Sequence, residues 1–271
     1  MALDTRNPQE MVQMVDKAYA APTPLVLYIH DDLTEYVQQH YDVGTPQARL
    51  TQELFVLLRR QAPSVVVLTL EEQLTRVIAQ GNHAPFALTL GIGQAGERVA
   101  QRLHQRTGWF PVLRRVDVTR EEDGQGAYNV VSLRPQSLAE QVQGVEAYAS
   151  VAVVDDTVFS GLTMRTVLRA LQPAALRHTR SFCLRGVAES LPGVQALCPL
   201  TIGFAASGRL LEEVSFLNAT GMVLRVGIRR AGQPPMAFFE RPEWFHAWFP
   251  GYADEVLQLC QRLNALLEPL A

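Results

Sequence analysis

Four consecutive apolar residues, Val151-Ala152-Val153-Val154, run straight into two acids, Asp155-Asp156. A run this short, rich in β-branched residues and without a polar face, reads as a strand buried on both sides. Such strands occur in parallel sheets covered by helices above and below. Parallel neighbours cannot be joined by a tight turn, so the chain has to alternate strands with crossover helices. Leu25 to Ile29, Val65 to Leu70, Phe86 to Leu90 and Val112 to Val118 read as further strands. Helical periods lie between and after them. Leu50, Leu54, Leu57 and Leu58 follow Thr45-Pro46 and stop at Pro63; Leu74, Val77 and Ile78 run up to Gly81; Val99 and Leu103 fall within Glu97 to His104, before Gly108. Met164, Val167, Leu168 and Leu171 precede Pro173, and Glu255 to Leu267 is an amphipathic terminal stretch. The fold class is α/β, a parallel sheet flanked by helices.

Composition narrows the function. With 271 residues, 48% apolar and 19% charged, the chain can bury a sizeable core. No stretch approaches the roughly 18 to 20 unbroken apolar residues of a membrane helix. Asp4, Arg6 and Glu10 stand where a signal peptide needs an apolar run, so a cytoplasmic protein with no membrane partner is expected. A net charge of −3 supplies no field for a nucleic-acid backbone, which leaves a small molecule as the expected partner. Cys183, Cys198 and Cys260 show no metal-ligand spacing and read as buried thiols. Lys17 is the only lysine, which leaves almost no room for Schiff-base or Walker A chemistry. H-E-x-x-H and G-x-S-x-G are absent, which argues against a zincin and an α/β-hydrolase.

The chemistry concentrates in Asp155-Asp156-Thr157-Val158-Phe159-Ser160-Gly161-Leu162-Thr163. Two carboxylates at the C-terminal end of a buried parallel strand stand in the crevice where open α/β sheets bind ligands. Ser160, Gly161 and Thr163 then open a helix, whose free N–H groups and dipole favour a phosphate. Acids that accept from vicinal sugar hydroxyls, beside a turn that takes a phosphate, describe a cradle for ribose 5-phosphate. Simple helix capping is the other explanation for an Asp-Asp pair. Asp31-Asp32 has that look and lacks the Ser-Gly-x-Thr turn, so it reads as a cap.

The Val151 to Thr163 segment resembles the signature of the type I phosphoribosyltransferases: four apolar residues, two acids, two more apolar residues and a Thr/Ser-Gly-x-Thr turn. Ala152, Thr157 and Phe159 depart from the usual pattern. The resemblance implies that Asp155 and Asp156 contact the ribose hydroxyls of phosphoribosyl pyrophosphate, and that Thr157, Val158, Phe159, Ser160, Gly161, Leu162 and Thr163 hold its 5-phosphate. It implies a Rossmann-like phosphoribosyltransferase fold, Mg²⁺ with the substrate, a nucleobase or nucleotide as the other small-molecule partner, and a homodimer as a possible assembly. It also implies an N-terminal α/β extension over residues 1–82, a core over 83–200 and a C-terminal hood over 201–271. Within the chain no repeat or linker cuts out an independent domain.

The family uses a second strand-to-helix turn for the pyrophosphate, and Gly91-Ile92-Gly93-Gln94-Ala95-Gly96 fits that place, with Arg114 and Arg115 on the next strand as cations. Alternation lets only one of the two arginines face the site. Thr119 to Gly126 is charged and glycine-containing, and a mobile loop is expected there. In the resemblance Thr119 to Tyr128 closes over the reacting centre, with Arg120, Glu121 and Glu122 available and no lysine. Beyond Thr201, Met222 to Arg230 and Met236 to Glu240 read as a hairpin. Trp244, Phe245, Trp248 and Phe249 read as the core of a small subdomain ahead of a stacking platform for a base. His104, His178 and His246 read as surface or capping residues.

Two rivals remain. A binding or regulatory protein would keep the fold and sense a phosphoribosyl compound or nucleotide without turnover. An NAD(P)-dependent oxidoreductase would use Gly91 to Gly96 as a literal G-x-G-x-x-G, with Asp117 about 20 residues on as the ribose acid. Two strand-like segments precede that fingerprint, whereas a dinucleotide domain carries it on its first strand.

Overall fold

The computed structural model describes residues 26–61, 64–123, 127–229 and 232–268. Its strands in chain order are β1 (Val26–Asp31), β2 (Val65–Thr69), β3 (Leu88–Ile92), β4 (Leu113–Val116), β5 (Val118–Glu122), β6 (Tyr128–Ser132), β7 (Val151–Val158), β8 (Thr179–Val187), β9 (Leu200–Ala206) and β10 (Val214–Asn218). The chain divides into two compact units, residues 1–70, 121–129 and 211–271 in the first and residues 71–120 and 130–210 in the second. Leu25, Lys17, the acids and arginine near the N-terminus, Pro63, Gly124 to Gly126, Arg230 and Ala231 lie outside the described residues.

In the first unit β1 runs between β10 and β2, parallel to both. The helix Pro46–Leu58 starts as its sequence dictates: the Thr45 hydroxyl accepts from the Ala48 amide at 3.4 Å and Pro46 opens the first turn. Leu50, Leu54, Leu57 and Leu58 are all buried, in one apolar core with Phe245, Phe249, Cys260 and Leu263. Trp244, Phe245, Trp248 and Phe249 are core residues here, in keeping with their sequence reading. Asp31 and Asp32 serve the backbone. The Asp31 carboxylate accepts from the Thr34 amide and hydroxyl, each at 2.9 Å, and buried Asp32 accepts from the Thr220 amide at 2.9 Å and from its hydroxyl.

The second unit is α/β: a five-stranded, fully parallel sheet in the order β4-β3-β7-β8-β9, flanked by helices. Leu88, Leu90, Val151 and Val153 of the sheet pack with Met164, Val167 and Leu168 of the helix Leu162–Ala170. Phe86, Trp109, Phe110 and Phe182 form a ring cluster, with Phe110 and Phe182 centroids 5.1 Å apart. The three cysteines are free and buried. Among the described residues no helix is long and apolar enough to cross a membrane.

Several elements differ from their sequence reading. The expected strand Val112 to Val118 breaks at Asp117 into β4 and β5. Thr119 to Glu122 is not a loop but the rest of β5, which forms a two-stranded hairpin sheet with β6; an antiparallel ribbon needs no continuous apolar run, so charge along it does not exclude a strand. The hairpin expected from Met222 to Glu240 shrinks to one antiparallel bridge, Ile228 to Met236, because Met222 and Val223 belong to the helix Ala219–Val223. Gly221 and Gly227 pack so closely there that a Cβ on Gly227 would lie 2.8 Å from the Gly221 carbonyl.

Candidate functional site

Counted within the second unit, the sheet order is 2-1-3-4-5, so the connection changes direction between its first strand, β3, and its third, β7, which lie side by side. Open parallel sheets offer a crevice at the carboxyl ends of the strands at such a switch point. The register pairs Leu90 with Val153 and Gly91 with Val154. The residues that follow are the glycine segment on one strand and Asp155 on its neighbour, so the two sequence motifs end adjacent strands.

β7 continues four residues past the expected end at Val154 and carries Asp155, Asp156, Thr157 and Val158 inside the strand. Asp155 is 8% and Asp156 9% exposed. One Asp155 oxygen accepts the Asp156 amide at 2.8 Å. Burial pushes the Asp155 carboxyl well above the usual carboxylate range; the neighbouring Asp156 charge and a hydrogen bond with the Asp156 side chain add to the rise, and Arg120 opposes it. Asp156 meets a full counter-charge. Its Oδ2 accepts from Nη2 of Arg185 at 2.9 Å, and Arg185, on β8, has no exposed surface. Nη1 of the same guanidinium donates to Oε1 of buried Gln73 at 3.2 Å. Sequence reading missed both Arg185 and Gln73. The Thr157 hydroxyl is buried and makes no hydrogen bond among the described residues.

The turn that follows occupies Phe159, Ser160 and Gly161, and the helix Leu162–Ala170 then begins with Thr163 in its first turn. Gly161 sits at φ +73°, a left-handed conformation that favours glycine. Oγ of Ser160 accepts the Leu162 amide at 3.4 Å. Arg165 folds back on the turn and donates to the carbonyls of Gly161 at 3.3 Å and Ser160 at 3.5 Å. The Phe159 ring lies against the Arg120 guanidinium, whose centre is 5.8 Å from the ring centroid, a cation–π contact.

On β3 the strand runs two residues later than expected, so Gly91 and Ile92 belong to it, and the helix Gly93–Thr107 follows with no intervening loop. Gly93, Gln94, Ala95 and Gly96 form the first helical turn, whose amides have no partner within the helix. Gly91 and Gly96 are required by packing: a Cβ on Gly91 would lie 2.7 Å from Glu97 Cα, and one on Gly96 would overlap the Val154 carbonyl oxygen. A Cβ on Gly93 would meet the Val118 carbonyl oxygen at 3.9 Å, an ordinary contact, and its φ is +59°. Arg115 pairs in register with Gly91 and binds Glu97 at 3.2 Å and Asp117 at 2.6 Å, whereas Arg114 donates to the Gln143 carbonyl at 3.1 Å. Asp117, 8% exposed, is held by Arg134 as well as Arg115.

Among the described residues no group of three or more His, Cys, Asp or Glu side chains is placed to hold a metal ion. With Asp156 tied to Arg185, the donor set does not fit a resident Mg²⁺. Two concavities of about 400 Å³ belong to the first unit, against the helices Pro46–Leu58 and Ala253–Leu267, and include no residue of either turn.

No protein-family model and no curated protein matches this chain. Solved structures do. A purine phosphoribosyltransferase from Pyrococcus horikoshii Ot3 is 15% identical with a TM-score of 0.35, covering 70% of this chain and 92% of that one. A xanthine-guanine-hypoxanthine phosphoribosyltransferase from Helicobacter pylori is 14% identical with a TM-score of 0.32, covering 70% and 92%. APRTase from Giardia lamblia, complexed with 9-deazaadenine, is 16% identical with a TM-score of 0.34, covering 49% and 77%. At these scores the chemistry has to be argued from this chain's own residues.

Proposed function

We propose that this chain binds phosphoribosyl pyrophosphate and transfers its phosphoribosyl group to a nitrogen acceptor such as a nucleobase. One observation carries the reading: the acid pair with its Ser-Gly-x-Thr turn, and a second helix N-terminus at Gly93, end adjacent parallel strands at the switch point of the sheet. Asp155 and Asp156 position the ribose. Ser160, Gly161 and Thr163 take the 5-phosphate, and the first turn of Gly93–Thr107 takes the pyrophosphate as it leaves the anomeric carbon. Mg²⁺ enters with the substrate's phosphates, the usual mode for that ion, and no step here is assigned to it. A cytoplasmic setting suits three unpaired, buried cysteines.

Labelled phosphoribosyl pyrophosphate incubated with a panel of purine and pyrimidine bases tests the reading. Release of pyrophosphate with formation of a nucleotide on one base supports it. Saturable binding with no release on any base supports the second reading, a sensor of phosphoribosyl compounds. The Asp156–Arg185 pair favours that second reading, because a neutralised carboxylate gives little help to positive charge developing on the ribose.

The oxidoreductase reading gains one point and loses another. β3 is the first strand of its sheet, since β1 and β2 belong to the other unit, so the objection from preceding strands falls. Asp117, however, is held by two arginines where a ribose-binding acid would have to be open to the cofactor.

A further inference from the structure

Arg185 has no counterpart in the motif reading, yet it reaches the acid pair from a separate strand. It is a guanidinium with no exposed surface, bonded on one arm to Asp156 at 2.9 Å and on the other to Gln73, which is 1% exposed on the helix Leu70–Ala79. Three elements, β7, β8 and that helix, thus converge a buried polar chain on one carboxylate. Burying an arginine is costly, and a well-packed apolar pair in its place is often as stable or more so. Stability alone therefore does not account for Arg185.

We infer that Arg185 is a positioning residue for the ligand site: it clamps Asp156 in one orientation and leaves Asp155 as the carboxyl that meets the ribose hydroxyls. The inference rests on the phosphoribosyl reading of the turn. The clamp makes two adjacent aspartates unequal. The guanidinium bonds Asp156 at 2.9 Å, while burial and the neighbouring Asp156 charge raise the Asp155 carboxyl well above the usual carboxylate range. The groups that act on Asp155 are Asp156 on its own strand and Arg120 on β5, and its register partner on β8 is Cys183. Burial, together with Asp155 and Asp156, pushes the Cys183 thiol well up, so it stays neutral beside them.

The test uses the full chain with ¹³C-labelled aspartate carboxyls, as wild type, Arg185→Lys, Arg185→Met and the double variant Asp156→Leu/Arg185→Met. Carboxyl titration by NMR and calorimetric binding of phosphoribosyl pyrophosphate are read on each. The wild type should show Asp155 titrating above Asp156. Arg185→Lys should keep that order. Arg185→Met should merge or invert it and weaken binding at least tenfold. The double variant removes the unpaired charge and keeps the test readable if Arg185→Met does not fold; it should melt no lower than wild type and still bind at least tenfold more weakly. Wild-type titration in Arg185→Met, or wild-type affinity in the double variant, overturns the inference. If wild type binds no phosphoribosyl pyrophosphate while the carboxyl order still depends on Arg185, the ligand reading fails and the clamp stands.

Discussion

Burial and the neighbouring Asp156 charge raise the affinity of the Asp155 carboxyl for its proton well above that of an exposed aspartate, and the sign of its effect on stability follows. The folded state binds that proton more tightly than the unfolded chain. Its contribution is therefore full below the ordinary aspartate range and is lost as pH rises toward the raised folded value. Asp155→Asn removes the dependence. The difference in melting temperature, variant minus wild type, should grow in the variant's favour as pH rises above the ordinary aspartate range, as scanning calorimetry would show. Arg185→Met should lower the unfolding free energy by about 3–5 kcal/mol, because it strands a buried carboxylate; urea denaturation reads it. A loss below about 1 kcal/mol, the value of an exposed pair, would mean that the pair is solvated in solution. Sequence placed the two acids but not their inequality. An arginine in Phe182-Cys183-Leu184-Arg185-Gly186 looks like the end of an apolar run, and only the paired carboxylate across the strands lets it lie inside one.

At the scale of elements, the two turns show how a motif's glycines divide their duties. Gly96→Ala forces a Cβ into the Val154 carbonyl and should cost about 3 kcal/mol, the upper end for overpacking. Gly93→Ala makes only an ordinary contact with the Val118 carbonyl and should cost about 1 kcal/mol, for the left-handed backbone. Denaturant midpoints of the two variants check the order, and the reverse order would contradict the packing described for β3 and β7. Strand existence was legible from apolar runs, and strand ends were not. β7 was read as stopping at Val154 because charge breaks the apolar pattern, yet it continues to Val158 with its acids hydrogen-bonded and paired. β8, β9 and β10 went unread for a similar reason: Arg185, Gly203 and Ser215 interrupt their hydrophobicity.

Across the whole molecule, the α/β class was legible from alternation, while the partition of strands between two sheets was not. β10 pairs with β1 across almost two hundred intervening residues, and a local period holds no record of such a partner. That pairing moves β1 and β2 out of the five-stranded sheet and leaves β3 as its first strand, with the consequence already noted for a dinucleotide reading. Because Asp117 is held by two arginines, titration with NAD(H) and NADP(H) should nevertheless give no saturable binding, and saturable binding lost in Gly93→Val but kept in Asp156→Asn would reverse the ranking. The account as a whole depends on where a phosphorylated pentose touches the chain. Backbone amide NMR during titration with ribose 5-phosphate, then with phosphoribosyl pyrophosphate, locates that contact. The first ligand should shift the amides of Ser160 to Thr163 saturably, and the second should add those of Gly93 to Gly96. If neither ligand moves Ser160 to Thr163, the site proposed here is contradicted.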